Sequence, residues 1–166
     1  MDKIILTTKL SLKDYIKVSY HLTYRKLAIK FITGIGLFIL VSIIFSYSSL
    51  TQFPWIQLIF GLYFTVVIAI LVYFYAIRNY KSNRRISETI NYEFDSENIQ
   101  ITGESFSSKL TWNKIYSVTE NKDWILIWQS RQIANIVPKR DFKEGELQAF
   151  KDIVKSQSGL KNKLKK

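Results

Sequence analysis

From Phe31 to Ile77 the chain runs for 47 residues without one Asp, Glu, Lys or Arg. A bilayer core of about 30 Å is crossed by roughly 20 apolar residues in helical form, so this stretch is long enough for two crossings. It divides at Ser48, Ser49, Thr51, Gln52 and Pro54, where polar residues and a proline mark a turn. The predicted spans are Phe31 to Tyr47 and Trp55 to Ile77. The other way to hide such a hairpin is inside a soluble protein, but the remaining chain is too short to wrap two helices that are apolar all round.

Beyond the hairpin the pattern changes to short runs of β-branched and aromatic residues separated by turn residues. Strands are expected at Thr89–Phe94, Ile99–Thr102, Ser105–Trp112, Ile115–Glu120, Trp124–Trp128 and Ile133–Val137. Their close succession implies antiparallel meanders. Asp141 and Glu144 stand three apart, the spacing of a capping box, and predict a helix running to about Lys155. Phe142, Leu147, Phe150, Ile153 and Val154 would form its core-facing stripe. Ahead of the hairpin, Ile4–Thr8 reads as a strand, and Ser11 with Asp14 caps a helix through Tyr15, Ile16, Ser19 and Tyr20. The strand before the hairpin is expected to pair with those after it. The expected division is a strand and amphipathic helix over 1–27, a transmembrane hairpin over 28–78, a folded domain over 86–156 and a basic disordered tail over 157–166.

Charge fixes the orientation. Lys and Arg outnumber Asp and Glu by 24 to 13, giving a formal net charge of +11. Arg25, Lys26 and Lys30 precede the hairpin, Arg78, Lys81, Arg84 and Arg85 follow it, and the loop between the spans has no basic residue. By the positive-inside rule both termini are expected on the cytoplasmic side of the cell membrane. The first span also begins after basic residues as a signal sequence would, but about 30 residues precede it and no small-residue cleavage site follows, so cleavage is not expected. Trp55 at one end and Tyr73, Tyr75 and Tyr80 toward the other suit interfacial belts or packing between helices. Gly34, Gly36 and Gly61 are candidates for close helix approach. With no cysteine and one histidine, His21, the chain offers neither a thiolate site nor a histidine metal cluster.

The layout of strand, helix, membrane hairpin and C-terminal domain resembles the YcxB-like family. The residues carrying the resemblance are Leu110-Thr111-Trp112-Asn113-Lys114-Ile115, the strand Trp124–Trp128, and Ile136-Val137-Pro138-Lys139-Arg140-Asp141-Phe142. The resemblance implies a bacterial membrane protein of α+β class whose cytoplasmic domain is like a pleckstrin-homology (PH) fold, a bent antiparallel β-barrel capped by one helix. It brings no activity, substrate or catalytic residue with it.

Candidate contact residues for lipid or a partner are Arg78, Lys81, Arg84, Arg85, Lys139 and Arg140. The first four would lie where a basic residue gains on the order of 1 kcal/mol beside anionic headgroups. Lys139 and Arg140 suit a phosphate or an acidic partner, but turn chemistry explains them as readily: Pro138 ends a strand and Asp141 caps a helix. Trp112, Trp124 and Trp128 are expected in the core. Glu93, Asp95 and Glu97 cluster at a turn without a histidine partner, and the chain has no nucleophile elbow, P-loop or dinucleotide fingerprint, so no enzyme activity, metal or cofactor is expected. No nucleic-acid motif accompanies the basic residues. The expected partners are the lipid bilayer, in which the protein is integral, and a protein partner or a second copy of the chain. The function expected is that of a membrane-anchored interaction module, with an anionic-lipid sensor or an accessory subunit of a channel or enzyme complex as alternatives. For the channel subunit, Ser42, Ser46 and Thr65 would face a common interior, although hydrogen bonds between helices account for them as simply.

Overall fold

The computed structural model describes residues 3–46 and 52–165. Tyr47, the last residue of the expected first span, Ser48, Ser49 and Thr51 of the expected turn, and Lys166 lie outside the described residues. The chain forms two compact units: Ser11–Asn83, and a second one built from Met1–Leu10 together with Arg84–Lys166. The stretch 1–27 is thus shared between them.

The helical unit begins with α1 (Leu12–Tyr24), whose start is the capping box expected from Ser11 and Asp14. The Ser11 hydroxyl accepts from the Asp14 amide at 3.2 Å, and the Asp14 carboxylate accepts from the Ser11 amide at 3.2 Å. Helix α2 follows over Leu27–Ser46. Helix α3 (Trp55–Leu62), a widened π turn (Tyr63–Val67) and α4 (Ile68–Ser82) run on as one 28-residue helix. By length and composition, this helix and α2 are both able to cross a membrane. They reach further than expected from the charge gap, taking in Lys30, Arg78 and Lys81, because lysine and arginine are good helix formers whose long stems lie along an apolar surface. Phe38 is 73% exposed and Phe45 81%, so the protein itself leaves these rings uncovered.

Within this unit α2 meets α3 at two glycines. A Cβ on Gly36 would lie 2.8 Å from Phe64 Cβ, and one on Gly61 would lie 2.7 Å from the Leu40 side chain. Gly34 faces open space and takes no part in the crossing. The π turn takes part in this contact through Phe64 and Thr65, and the Thr65 hydroxyl donates to the Gly61 carbonyl at 2.7 Å, competing with the regular helical bond. Helix α1 lies along α4: Tyr20 donates its hydroxyl to the Ala69 carbonyl at 2.7 Å, and Asn79 Nδ2 donates to the Tyr15 hydroxyl at 2.5 Å.

The mixed unit holds β1 (Ile4–Lys9), a short helix α5 (Arg84–Ser87), strands β2 (Thr89–Phe94), β3 (Asn98–Thr102) and β4 (Ser107–Thr111), and then β5 (Ser117–Glu120), β6 (Trp124–Trp128) and β7 (Ala134–Pro138). Helix α6 (Glu146–Ser156) and the two-residue strand β8 (Asn162–Lys163) complete it. One antiparallel sheet has the order β1-β2-β3-β4 and the other the order β7-β6-β5-β8. Strand β1 does pair with a strand from beyond the hairpin, in register from Ile4 against Phe94 to Lys9 against Thr89. Its residues alternate as a half-buried strand requires, with Ile4, Leu6 and Thr8 inward and Ile5, Thr7 and Lys9 outward.

The structure corrects three expectations. The barrel is not closed: β4 leads into a 3₁₀ turn at Trp112–Lys114, Trp112 enters the core and donates its indole N–H to the Asp95 carbonyl at 2.8 Å, and β5 starts a separate sheet. Helix α6 begins at Glu146, not after Asp141, with Gly145 at a φ of 80° before it. Asp141 instead accepts from the Thr8 hydroxyl at 2.5 Å and so ties β1 to the turn after β7. Finally, the expected disordered tail contains β8. The core lies between the sheets and α6, where Tyr92, Phe94, Ile125, Ile127, Phe150, Ile153 and Val154 are buried. Phe94 and Phe150 meet edge to face at 4.8 Å. Each such side chain contributes about 1.5–3 kcal/mol through burial.

Replacing Gly36 with leucine is expected to lower the melting temperature of the detergent-solubilised protein, at a cost of about 1–3 kcal/mol for forced overpacking. Gly34→Leu, on the same helix, should leave it unchanged. Equal effects of the two substitutions would show that the glycine crossing does not hold the helices together.

Candidate functional site

Strand β5 ends at Glu120, opposite Ile125 of β6. Its side chain is 1% exposed, and a carboxylate so enclosed persists as an anion only if donors replace the water it has lost. Lys139 supplies its ammonium at 2.6 Å to Oε1. Lys151 approaches Oε2 at 3.0 Å from the buried face of α6. The backbone N–H of Lys165 donates to the same Oε2 at 2.7 Å, and the Lys151 ammonium donates to the Lys165 carbonyl at 3.1 Å. One Glu–Lys pair therefore grips both main-chain groups of a single residue. Burial alone would push the Glu120 pKa up; Lys139, the Lys165 amide and Lys151 together outweigh it and hold the carboxyl below its ordinary value.

This clamp fixes a larger feature. Strand β8 lies parallel to β5, with Val118 against Asn162 and Thr119 against Lys163, and the Val118 amide donates to the Lys161 carbonyl at 2.9 Å. Leu160 and Leu164 pack against the core while Asn162 and Lys163 remain exposed. The ammonium of Lys161 stands 6.0 Å from the centre of the Tyr116 ring. Segment 160–165 is thus held by its main chain and by two leucines four residues apart.

The six candidate residues separate. Arg78 and Lys81 lie in α4 of the helical unit, Arg84 and Arg85 in α5 of the mixed unit, and all four are exposed. The guanidinium of Arg85 stacks over the Phe106 ring at 5.4 Å. Lys139 and Arg140 fall in a 3₁₀ turn, Lys139–Asp141. Lys139 is committed to Glu120, whereas Arg140 is more exposed and approaches Asp141 at 3.6 Å. Sequence reasoning missed Glu120 and Lys151. A signal was present for the second: Leu147, Phe150, Lys151 and Val154 occupy one helical stripe, and a lysine in an apolar stripe calls for a buried partner.

Glu88, Glu93 and Asp95 have partners within the fold. Glu88 is buried and accepts from the Ser105 hydroxyl at 2.6 Å and the Ser105 amide at 3.1 Å. The Ser105 hydroxyl is the foremost reason its pKa lies below the ordinary value. Gly103 makes this possible, since a Cβ there would lie 2.7 Å from Glu88 Oε2. Asp95 accepts from the amides of Glu97 and Asn98, an Asx turn, and Glu93 pairs with Lys3 at 2.5 Å. Trp112, Trp124 and Trp128 are all buried.

These features define a mixed α+β protein carrying two long apolar helices. Residues 94–154 match the family described as YcxB-like protein, so this stretch of the chain is a YcxB-like domain. The chain is also 29% identical over 111 residues to a protein of Bacillus subtilis (strain 168) named "Uncharacterized protein YcxB", a match spanning 66% of this chain and 60% of that protein. No solved structure matches.

Because the folded-state pKa of Glu120 is depressed, the stability its ionised form confers is complete above the ordinary value of about 4.5 and is lost as pH falls through the folded value. Glu120→Gln, which leaves two ammonium groups facing a neutral amide, should cost about 3 kcal/mol at pH 7 in denaturant melts followed by tryptophan fluorescence. The difference from the parent should shrink in acid. A difference independent of pH would refute the ionic role.

Proposed function

We propose that the protein is a non-catalytic, membrane-anchored interaction module. In this reading the two apolar helices cross the cell membrane and the mixed unit stands on its cytoplasmic face. The observation that carries the reading is the ladder between β1 and β2. Residues 4–9 and 89–94 lie on either side of the helices in sequence, and strands that pair occupy the same compartment. Any membrane between them must be crossed an even number of times, and two helices of sufficient length stand in that interval. Basic residues at both outer ends of the helices, and none in the stretch joining them, favour the cytoplasm as that compartment.

The mixed unit is read as PH-like, a reading supported by seven strands in two antiparallel meanders followed by a closing helix. Its partner is read as protein, because the buried ionic cluster at Glu120, Lys139 and Lys151 grips main chain. Arg78, Lys81, Arg84 and Arg85 would add contact with anionic headgroups, while Lys139, engaged with Glu120, would not.

The native chain has no cysteine, so single cysteines report location cleanly. In intact cells, Gln52→Cys is expected to react with a membrane-impermeant maleimide and Gln132→Cys to react only after lysis. Extraction of the protein by alkaline carbonate, or labelling of Gln132→Cys from outside, would overturn the proposed placement.

A further inference from the structure

Segment 160–165 is bound as a ligand would be. Its side chains at Asn162 and Lys163 are exposed, its leucines fill two apolar positions, and its main chain is read by the Val118 amide, the Glu120 carboxylate and the Lys151 ammonium. A two-residue parallel strand contributes little ladder of its own, so the charged clamp and the leucines bear most of the binding. Such recognition belongs to strand addition, in which main-chain bonds give affinity and side-chain sockets give selectivity.

We infer that the β5 edge, with Glu120 and Lys151, is a peptide-binding groove that segment 160–165 fills within its own chain and that the same segment of a second copy fills by exchange. The second copy is the occupant the structure supports, since it carries the sequence seen to fit: leucines four apart, and on the next residue an amide and a carbonyl that meet Glu120 and Lys151. Residues 157–159 connect the segment to α6, and Gly159 holds a φ of 79°, which gives the connection a natural pivot. Binding within the chain benefits from a high effective concentration, so exchange is held back until the bound segment is weakened. The inference deepens the reading of the mixed unit as an interaction module by naming its partner, and it does not depend on the membrane placement.

The test uses the full chain in detergent solution and disulfide trapping across the register Thr119–Lys163. The acceptor carries Thr119→Cys with Lys165→Pro, which deletes the amide given to Glu120 without disturbing the core; a second acceptor carries Thr119→Cys with Leu164→Asp. The donor carries Lys163→Cys alone. Oxidised mixtures of donor and acceptor are expected to give a disulfide-linked dimer, at least roughly tenfold more than when Thr119→Cys alone is the acceptor, reflecting release of the occupied groove. A donor bearing Gln132→Cys should give none above background. Circular dichroism confirms that each acceptor is folded. Failure of both folded acceptors to trap the donor, or equal trapping of Gln132→Cys, would overturn the exchange and leave the segment a fixed strand. That result would not touch the maleimide experiment, which reads location alone.

Discussion

The pairing of β1 with β2 is the constraint from which the rest of the architecture follows. It joins residues 84 apart in sequence, as between Thr7 and Asn91, whose side chains meet at 2.7 Å. Bringing such distant residues together costs loop-closure entropy, and the cost is lowered when the intervening chain is already a folded unit of its own. The helices between Ser11 and Asn83 form such a unit. Without β1, the sheet would lose the inward residues Ile4, Leu6 and Thr8, and with Thr8 the hydroxyl that holds Asp141 in place. The edge of one sheet and the turn that follows the other therefore depend on the same six residues.

At the other end of the mixed unit, charge does what hydrophobic contact does elsewhere. Three elements meet at Glu120: the turn with Lys139, helix α6 with Lys151, and segment 160–165. Buried ion pairs offer small net stability over a well-packed apolar alternative, yet they penalise every arrangement that leaves one charge alone. Here that penalty specifies which backbone lies beside β5. A purely apolar groove would accept the two leucines in several registers, whereas the carboxylate and ammonium together require an amide and a carbonyl from one residue.

Much of the outline was legible in the sequence. The uncharged stretch announced two long helices, the alternation in Ile4–Thr8 announced β1, and Ser11 with Asp14 announced the start of α1. What escaped depended on tertiary competition. Asp141 had the spacing of a helix cap, but Thr8 claimed its carboxylate and the helix started at Glu146. Strand β8 had no strand signal because its side chains pack against nothing; its place is set by Glu120 and β5, far away in sequence. The basic pair at 139–140 looked alike on paper, and burial separated them, sending Lys139 to Glu120 and leaving Arg140 more exposed. Closure of a barrel could not be read from strand number, since it turned on a single 3₁₀ turn at Trp112–Lys114.

The discontinuous sheet also sets an order of events during synthesis. At ~5–20 residues per second, β1 waits about 4–17 s on the ribosome for the strand it pairs with. Throughout that interval its inward isoleucine and leucine have no sheet to join, and the helices are made first. A hairpin that threaded a membrane only once would leave β1 in the wrong compartment, and β2 would become a bare edge above a core containing Tyr92 and Phe94. The completed sheet covers that edge, so β1 and β2 have to finish on the same side of any membrane the helices cross.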